Sequence, residues 1–218
     1  MKKLVIFDID GVLLLSMDRS VALLCQTIKN AGLELNFQII QDNLGYSFQE
    51  VLIPRLAEAG NWSDSQAQLI SEKDEYFFRN TKFNSPANLS VRLEELKKAG
   101  YSLGVATNRD DYLLHRAFFD IGINVELFDF IKTCEDGIKK PDSRVFDEAL
   151  KMFEAEEIIF VGDSPICDLP AAYGGKNKID FAAITSTIYQ KEVFLEAGVP
   201  ETLIYKSVLD FIDELLVV

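Results

Sequence analysis

Cysteine is scarce in this 218-residue chain, and Cys25, Cys134 and Cys167 are widely scattered. That spacing excludes a disulfide framework or a CxxC-type zinc site and predicts reduced, partly buried thiols. Long apolar runs are also missing: no segment approaches the roughly 20 apolar residues of a membrane-spanning helix. Lys2 and Lys3 precede an apolar stretch, but Asp8 and Asp10 interrupt it before a signal-peptide core can form. A soluble, cytoplasmic protein with no membrane partner is expected. Positive charge is in deficit, with 22 Lys and Arg against 35 Asp and Glu for a formal charge of -13. Diffuse attraction to nucleic acid is therefore disfavoured, and any anionic ligand needs a local site. Internal repeats and low-complexity segments are absent.

What is present is enough apolar residue, 48% of the chain, for a substantial core. Short runs rich in β-branched residues stop at polar clusters: "LVIFDID" from Leu4, "SLGVATN" from Ser102, "FDFIKTC" from Phe128, "EEIIFVGD" from Glu156 or Glu157, and "FAAITST" from Phe181. Near-continuous hydrophobicity marks strands covered on both faces. Helix-period stretches lie between them. "LSVRLEELKKAG" puts Leu89, Leu93 and Leu96 on one side with Gly100 as its C-terminal stop, and "DDYLLHRAFFDIG" ends likewise at Gly122. "DSRVFDEALKMF" spaces Val145, Phe146, Ala149 and Phe153 as one helix. Strands alternating with helices predict an α/β fold, a doubly wound Rossmann-like parallel sheet.

Residues 16–84 break the alternation and read as helices only. "DRSVALLCQTIKNAG" stops at Gly32, "SFQEVLIPRLAEAG" stops at Gly60, and Ser63 with Gln66 has capping-box spacing ahead of "AQLISEKDEYFFRN". The expected organisation is a catalytic core from residues 1–15 and 85–218, with an all-helical cap, 16–84, inserted after the first strand. Linkers are expected near residues 14–16 and 83–88.

In open parallel sheets, ligands bind at the carboxyl ends of the strands. Asp8 and Asp10 follow the first strand, Thr107 and Asn108 the second, Lys140 the third, and "GDSPICD" brings Asp163 and Asp168 after a later one. Singly, each has an ordinary reading: a strand-end Asp is a turn former or helix cap, "TN" and "GDS" are turn sequences, and a lysine is a solvated charge. Their ordered recurrence at successive strand ends is the signal. Close carboxylates repel unless a cation joins them, and Mg2+ characteristically takes one or two carboxylates and shares a substrate phosphate. Thr107 and Lys140 suit that phosphate as a hydroxyl donor and a mobile ammonium.

These four elements resemble the motifs of the haloacid dehalogenase-like hydrolase superfamily, in its helical-cap branch of phosphoglycolate phosphatase and β-phosphoglucomutase type. "FDIDGV", "VATN", "KKPDSRVF" and "VGDSPICD" look like its four motifs in order, and "AAYGGKN" looks like a variant of a further segment. The resemblance implies a Mg2+-dependent phosphatase acting on a small phosphorylated metabolite through an aspartyl-phosphate. Asp8 would be the nucleophile and Asp10 the acid/base. Asp8, the Asp10 backbone carbonyl and Asp163 would hold the metal. Thr107, Asn108 and Lys140 would bind the phosphoryl group, and Asp168 would position Lys140 or metal-bound water. Gly11 would free the strand exit and keep side chains away from the phosphate. Val12 stands where threonine is more often found. "NLGYSFQEV" resembles the cap's specificity loop, making Tyr46 and Ser47 possible substrate contacts, with packing or helix capping as their alternative. Leu15 occupies a position that carries an acid in many such phosphatases.

Alternatives within and beyond the resemblance differ by identifiable residues. A 2-haloacid dehalogenase lacks the second aspartate, whereas Asp10 is present. A sugar phosphomutase usually has a cap arginine where Phe48 stands and a histidine just after the first motif, whereas the single histidine, His115, lies outside the cap. A receiver-type phospho-acceptor places its aspartate after a middle strand and has no room for the insert. A silent binding homologue lacks a supporting lesion, since both Asp8 and Asp10 remain.

Overall fold

A run of apolar residues with no polar interruption can sit only where both faces are covered, and the first strand, β1 (Lys3–Phe7), has that position. The computed structural model describes residues 3–153, 157–175 and 179–217. After β1 come helices α1 (Met17–Asn30), α2 (Phe37–Gln41), α3 (Ile53–Ala59), α4 (Asp64–Asn80) and α5 (Leu89–Lys98). The chain then alternates β2 (Ser102–Ala106), α6 (Asp111–Ile121), β3 (Phe130–Lys132), α7 (Asp147–Met152), β4 (Glu157–Gly162), α8 (Asp168–Tyr173), β5 (Asp180–Ile184), α9 (Lys191–Glu196), β6 (Ile204–Tyr205) and α10 (Val208–Val217).

The sheet is parallel throughout, in the order β3-β2-β1-β4-β5-β6. It is the Rossmann-like α/β architecture expected from the alternation of elements. Leu4 and Ile6 face one apolar cluster, with Phe146, Phe160, Phe181 and Phe194. Val5 and Phe7 face the other, with Val105, Phe118, Val161 and Phe211. The strand order reverses between β1 and β4, so the crevice of a doubly wound sheet opens where these two strands end.

Several element boundaries differ from the sequence expectation for local reasons. The expected helix through "SFQEVLIPRLAEAG" begins instead as a π-helical turn, Phe48–Leu52, leading into α3. Pro54 has no N–H for an ordinary helical bond to Glu50, and the Leu52 N–H reaches back to the Ser47 carbonyl at 3.2 Å. "DSRVFDEALKMF" likewise divides into a 3₁₀ turn, Ser143–Phe146, and α7, leaving Phe153 just past the helix end. The five-residue α2 and the two-residue β6 are too short to leave a periodic signal. Gly122 is the left-handed cap of α6, and Ser63 and Gln66 form the expected capping box of α4. Glu156, and Lys176 and Asn177 of "AAYGGKN", lie outside the described residues.

Among the described residues, no helix is long and apolar enough to cross a membrane. All three cysteines are free thiols, Cys167 fully buried and the others partly so. The helices of residues 16–84 contribute Val21, Leu24, Ile28, Leu56 and Ile70 to the same apolar cluster that lines one sheet face. This helical layer is tied to the sheet edge by the Tyr189 hydroxyl, which donates to the Gln41 carbonyl.

Phe160 in β4 is fully buried, with its ring centroid 4.9 Å from Phe146 and 6.1 Å from Phe181. Replacing Phe160 with Ala is expected to lower the unfolding free energy by about 3–5 kcal/mol, read from urea denaturation; a loss under about 1 kcal/mol would contradict this account of the core.

Candidate active site

The end of β1 sets the geometry. Asp8 directly follows the strand and donates its N–H to the Val161 carbonyl of β4 at 2.9 Å, fixing its position beside Gly162. The next residues fold back at once: the Gly11 N–H reaches the Leu14 carbonyl and the Leu14 N–H reaches the Ile9 carbonyl, each at 2.8 Å. Gly11 has φ +76°, and a Cβ there would fall 1.8 Å from Asp163 Oδ2. Its lack of a side chain thus makes room for a carboxylate of the neighbouring strand end, rather than for a phosphate alone. Gly162 does the same for Asp168, whose Oδ2 would lie 2.5 Å from an added Cβ.

Lys140 is buried and lies between two acids, with its Nζ 2.7 Å from Asp8 Oδ1 and 2.7 Å from Asp168 Oδ1. The Phe160 ring lies beneath, its centroid 5.3 Å from Nζ. Burial works against the Lys140 charge, but Asp168 and Asp8 outweigh it and raise its pKa above the ordinary lysine range. Asp168 Oδ2 also accepts the backbone N–H groups of Asp163 and Ser164, each at 3.0 Å. Asp168 is therefore held by the protein on both oxygens.

Asn108 does something not anticipated from its place beside Thr107. Its Oδ1 accepts the Lys140 N–H at 2.8 Å and its Nδ2 donates to the Lys140 carbonyl at 3.1 Å. The amide thereby fixes the Lys140 backbone. Thr107, buried after β2, accepts the Arg109 N–H on its Oγ1 at 3.2 Å.

Asp8, Asp163 and Asp168 bring one oxygen each within 4.8 Å of the others. Burial pushes the Asp8 carboxyl up to about 7, with Lys140 pulling against this and the charges of Asp168 and Asp10 adding to it. Asp163 is raised well above the carboxylate range, again chiefly by burial and then by Asp168 and Asp8. Asp163 Oδ2 has no hydrogen-bond partner among the described residues, a costly arrangement for a buried carboxylate.

Sequence reasoning missed Arg109 and Ser16. Arg109 Nε donates to Asp10 Oδ2 at 2.7 Å and Nη2 to Asp10 Oδ1 at 2.6 Å, while Ser16 Oγ donates to Oδ1 at 2.6 Å. The guanidinium lies over the Phe78 ring, 4.6 Å from its centroid, with Phe83 at 6.0 Å. Burial opposes the Asp10 charge, but the charge and hydrogen bonds of Arg109, helped by Ser16, carry its pKa below the ordinary value. A signal for Arg109 existed, because it follows Thr107 and Asn108 at the same strand end. Its partner could not be read from that.

The sheet edge and the helical layer enclose a cavity of about 630 Å³. Asp8, Asp10, Thr107, Asn108, Lys140, Asp163 and Asp168 all line it, as do Tyr46 and Ser47. Ser47 also caps the π-helical turn, its Oγ accepting the Glu50 N–H at 3.2 Å. Phe48 is in the lining, whereas Leu15 and His115 are exposed and outside it. The Leu15 N–H is bonded to the Asn84 carbonyl at 2.8 Å, joining the segments before α1 and after α4.

Acids at the carboxyl ends of β1 and β4, with a buried lysine between them, define an α/β site suited to an anionic ligand and a hard cation. The family model for haloacid dehalogenase-like hydrolases matches residues 5–184, and the chain belongs to that family. It is 34% identical over 110 residues to glyceraldehyde 3-phosphate phosphatase of Pyrococcus furiosus, a match covering 46% of this chain and 42% of that protein. The chain thus spans less than half the length of this curated relative. Over nearly the whole chain, the fold resembles that of a Haemophilus somnus protein described as a predicted phosphoglycolate phosphatase, with TM-score 0.74, 19% identity and 98% of each chain covered. It also resembles CbbY from Rhodobacter sphaeroides in complex with phosphate, with TM-score 0.70, 19% identity, and 97% of this chain and 96% of that one covered. At such identities the structural likeness is one of fold.

Two measurements check the electrostatics. Arg109→Ala leaves a partly buried carboxylate without its bidentate partner and is expected to cost about 3 kcal/mol of stability; Arg109→Lys should recover less than half of it, because an ammonium cannot reproduce the fork. Asp74, in α4 and 6% exposed, has a carboxyl pushed up to about 7 by burial, and it accepts a hydrogen bond from Gln49 Nε2 at 3.1 Å. A raised carboxyl pKa makes the folded state bind more protons between the unfolded value of 3.8 and about 7, so this group's contribution turns against folding as pH rises through that window. Asp74→Asn should therefore match the parent near pH 4 and exceed its stability at pH 8, in paired denaturation curves.

Proposed function

We propose that this chain is a phosphatase hydrolysing a small phosphomonoester through an aspartyl-phosphate on Asp8. The observation carrying the reading is the buried Asp8 and Asp163 pair at adjacent strand ends, with an orphaned Asp163 oxygen and both residues lining the same cavity as Lys140. In this reading residues 16–84 act as a cap over a core of 1–15 and 85–218, and the three free thiols accord with work in the cytoplasm.

The donor set fits Mg2+: two buried carboxylate oxygens, one of them unpartnered, in an oxygen-rich cluster short of positive charge. Asp8, Asp163 and the Asp10 backbone carbonyl would hold the ion, which when bound offsets charge between nucleophile and phosphate. It would also lower the raised pKa values of Asp8 and Asp163.

The chain's own groups then have defined tasks. An Asp8 carboxylate oxygen attacks phosphorus, the bond from phosphorus to the leaving oxygen breaks, and Asp10 supplies that oxygen with a proton. Water next attacks the phosphoryl group, Asp10 takes the water's proton, and the acyl-phosphate bond breaks to release phosphate and regenerate Asp8. Lys140 offsets charge on Asp8 and the phosphoryl oxygens, and Thr107 donates its hydroxyl to them. Asn108 and Asp168 keep Lys140 in place. The grip of Arg109 and Ser16 keeps Asp10 ionised, suited to the base step. For the acid step Asp10 must leave that grip and take up a proton from solvent before it meets the leaving group, a rearrangement that cap closure over a substrate can drive. Proteins described as putative β-phosphoglucomutases share this fold, so the preference for hydrolysis rests on Phe48, which lines the cavity where a mutase cap usually has an arginine.

The test is phosphate release from a panel of small phosphomonoesters with Mg2+, with a 2-haloacid included. Asp8→Asn should reduce release at least a thousandfold, and chelation should abolish it reversibly. Unchanged activity in Asp8→Asn would remove the nucleophile assignment, and halide release without phosphate release would replace the function.

A further inference from the structure

The cavity is anionic well beyond what one phosphate and one divalent cation require. Nine carboxylate side chains line it against four cations among the described residues. Each cation already has a carboxylate partner: Arg109 with Asp10, Lys140 with Asp8 and Asp168, Lys139 with Glu50 at 2.9 Å, and Arg79 with Glu75 at 2.9 Å. A phosphoryl group can share Lys140. A second anion on the same substrate would have to share Lys139 or Arg79 with the carboxylate already there, close to the other acids of the lining. That repulsion selects against an anionic leaving group without requiring a steric block.

The helical side of the cavity also has a group suited to a neutral substrate. Asp74 is 6% exposed, lines the cavity and has no ion-pair partner among the described residues. Among the described residues its one hydrogen bond comes from Gln49 Nε2 to Oδ2 at 3.1 Å, which leaves Oδ1 open to a donor. Gln49 lines the same cavity. A buried carboxyl held from one side by an amide is an acceptor for a hydroxyl.

Building on the phosphatase reading, we infer that the substrate is the monophosphate of a neutral, hydroxyl-bearing small molecule, with a leaving-group hydroxyl bound by Asp74 and Gln49. Phosphorylated carboxylic acids and bisphosphates are disfavoured by the same arrangement. The exclusion of a second phosphate also opposes a mutase cycle, in which a bisphosphate must be held. Asp74 contributes to substrate choice and has no part in the transfer of the phosphoryl group.

The experiment compares glycerol 3-phosphate, phosphoglycolate and a hexose bisphosphate at saturating Mg2+, with p-nitrophenyl phosphate as a generic ester. Glycerol 3-phosphate should exceed the two polyanionic compounds by tenfold or more in kcat/KM, chiefly through KM. Calorimetric titration of Asp8→Asn with the same three ligands should give the same order of affinity without turnover. Asp74→Asn, checked as folded by thermal unfolding at pH 8, should raise KM for glycerol 3-phosphate about tenfold, and Asp74→Lys should shift the ratio towards phosphoglycolate. Equal or better use of phosphoglycolate, or an unchanged KM in Asp74→Asn, overturns the inference while the phosphatase stands. Failure to release phosphate from any of the four esters overturns the phosphatase reading and the inference with it.

Discussion

The Lys140 ammonium between Asp8 and Asp168 is the contact on which the rest of the site depends. Three carboxylates at the ends of β1 and β4 would be untenable in an apolar surrounding without a buried cation among them. The neighbouring sequence serves that contact. Gly11 and Gly162 leave room for the carboxylates of Asp163 and Asp168, Asn108 grips the Lys140 backbone on both its N–H and carbonyl, and Phe160 supplies the ring beneath Nζ. One cation does not satisfy the cluster. Asp163 keeps an unpartnered oxygen, and burial raises the pKa of both Asp8 and Asp163 despite the nearby ammonium.

A second charge pair connects the sheet edge to the helical layer. Arg109 rises from the end of β2 to hold Asp10, and its guanidinium is covered by Phe78 of α4 and by Phe83 of the returning linker. Ser16, directly before α1, completes the grip. The environment of Asp10 is thus built jointly by core and helices, while that of Asp8 is built by the sheet edge. A movement of the helices would act first on Asp10, which links any closure to the residue assigned to proton transfer.

Much of the fold was legible because it is written in short-range patterns. β1, β2, β4 and β5 are apolar runs covered on both faces, and each ends at a polar cluster that the parallel topology brings to one edge. Gly122 and the Ser63 capping box acted locally and were found where the residue types put them. Where Pro54 redirected a helix into a π-helical turn, a continuous apolar period concealed the break. β6 exists because β5 offers Ala183 and Ile184 for pairing, and two residues cannot announce that by themselves.

The sequence by itself determined the alternation of elements, the strand that carries Asp8, and the set of acids, hydroxyl and lysine gathered at the strand ends. These depend on hydrophobic period and chain order, which are properties of neighbouring residues. Only the tertiary structure decided who partners whom: Arg109 with Asp10 across 99 positions, Asn108 with the Lys140 backbone, and Asp74 with Gln49 at the cavity wall. Such pairings form when desolvated charges and polar groups meet whichever partners the packed chain brings within hydrogen-bond reach. Composition and spacing carry no record of that meeting.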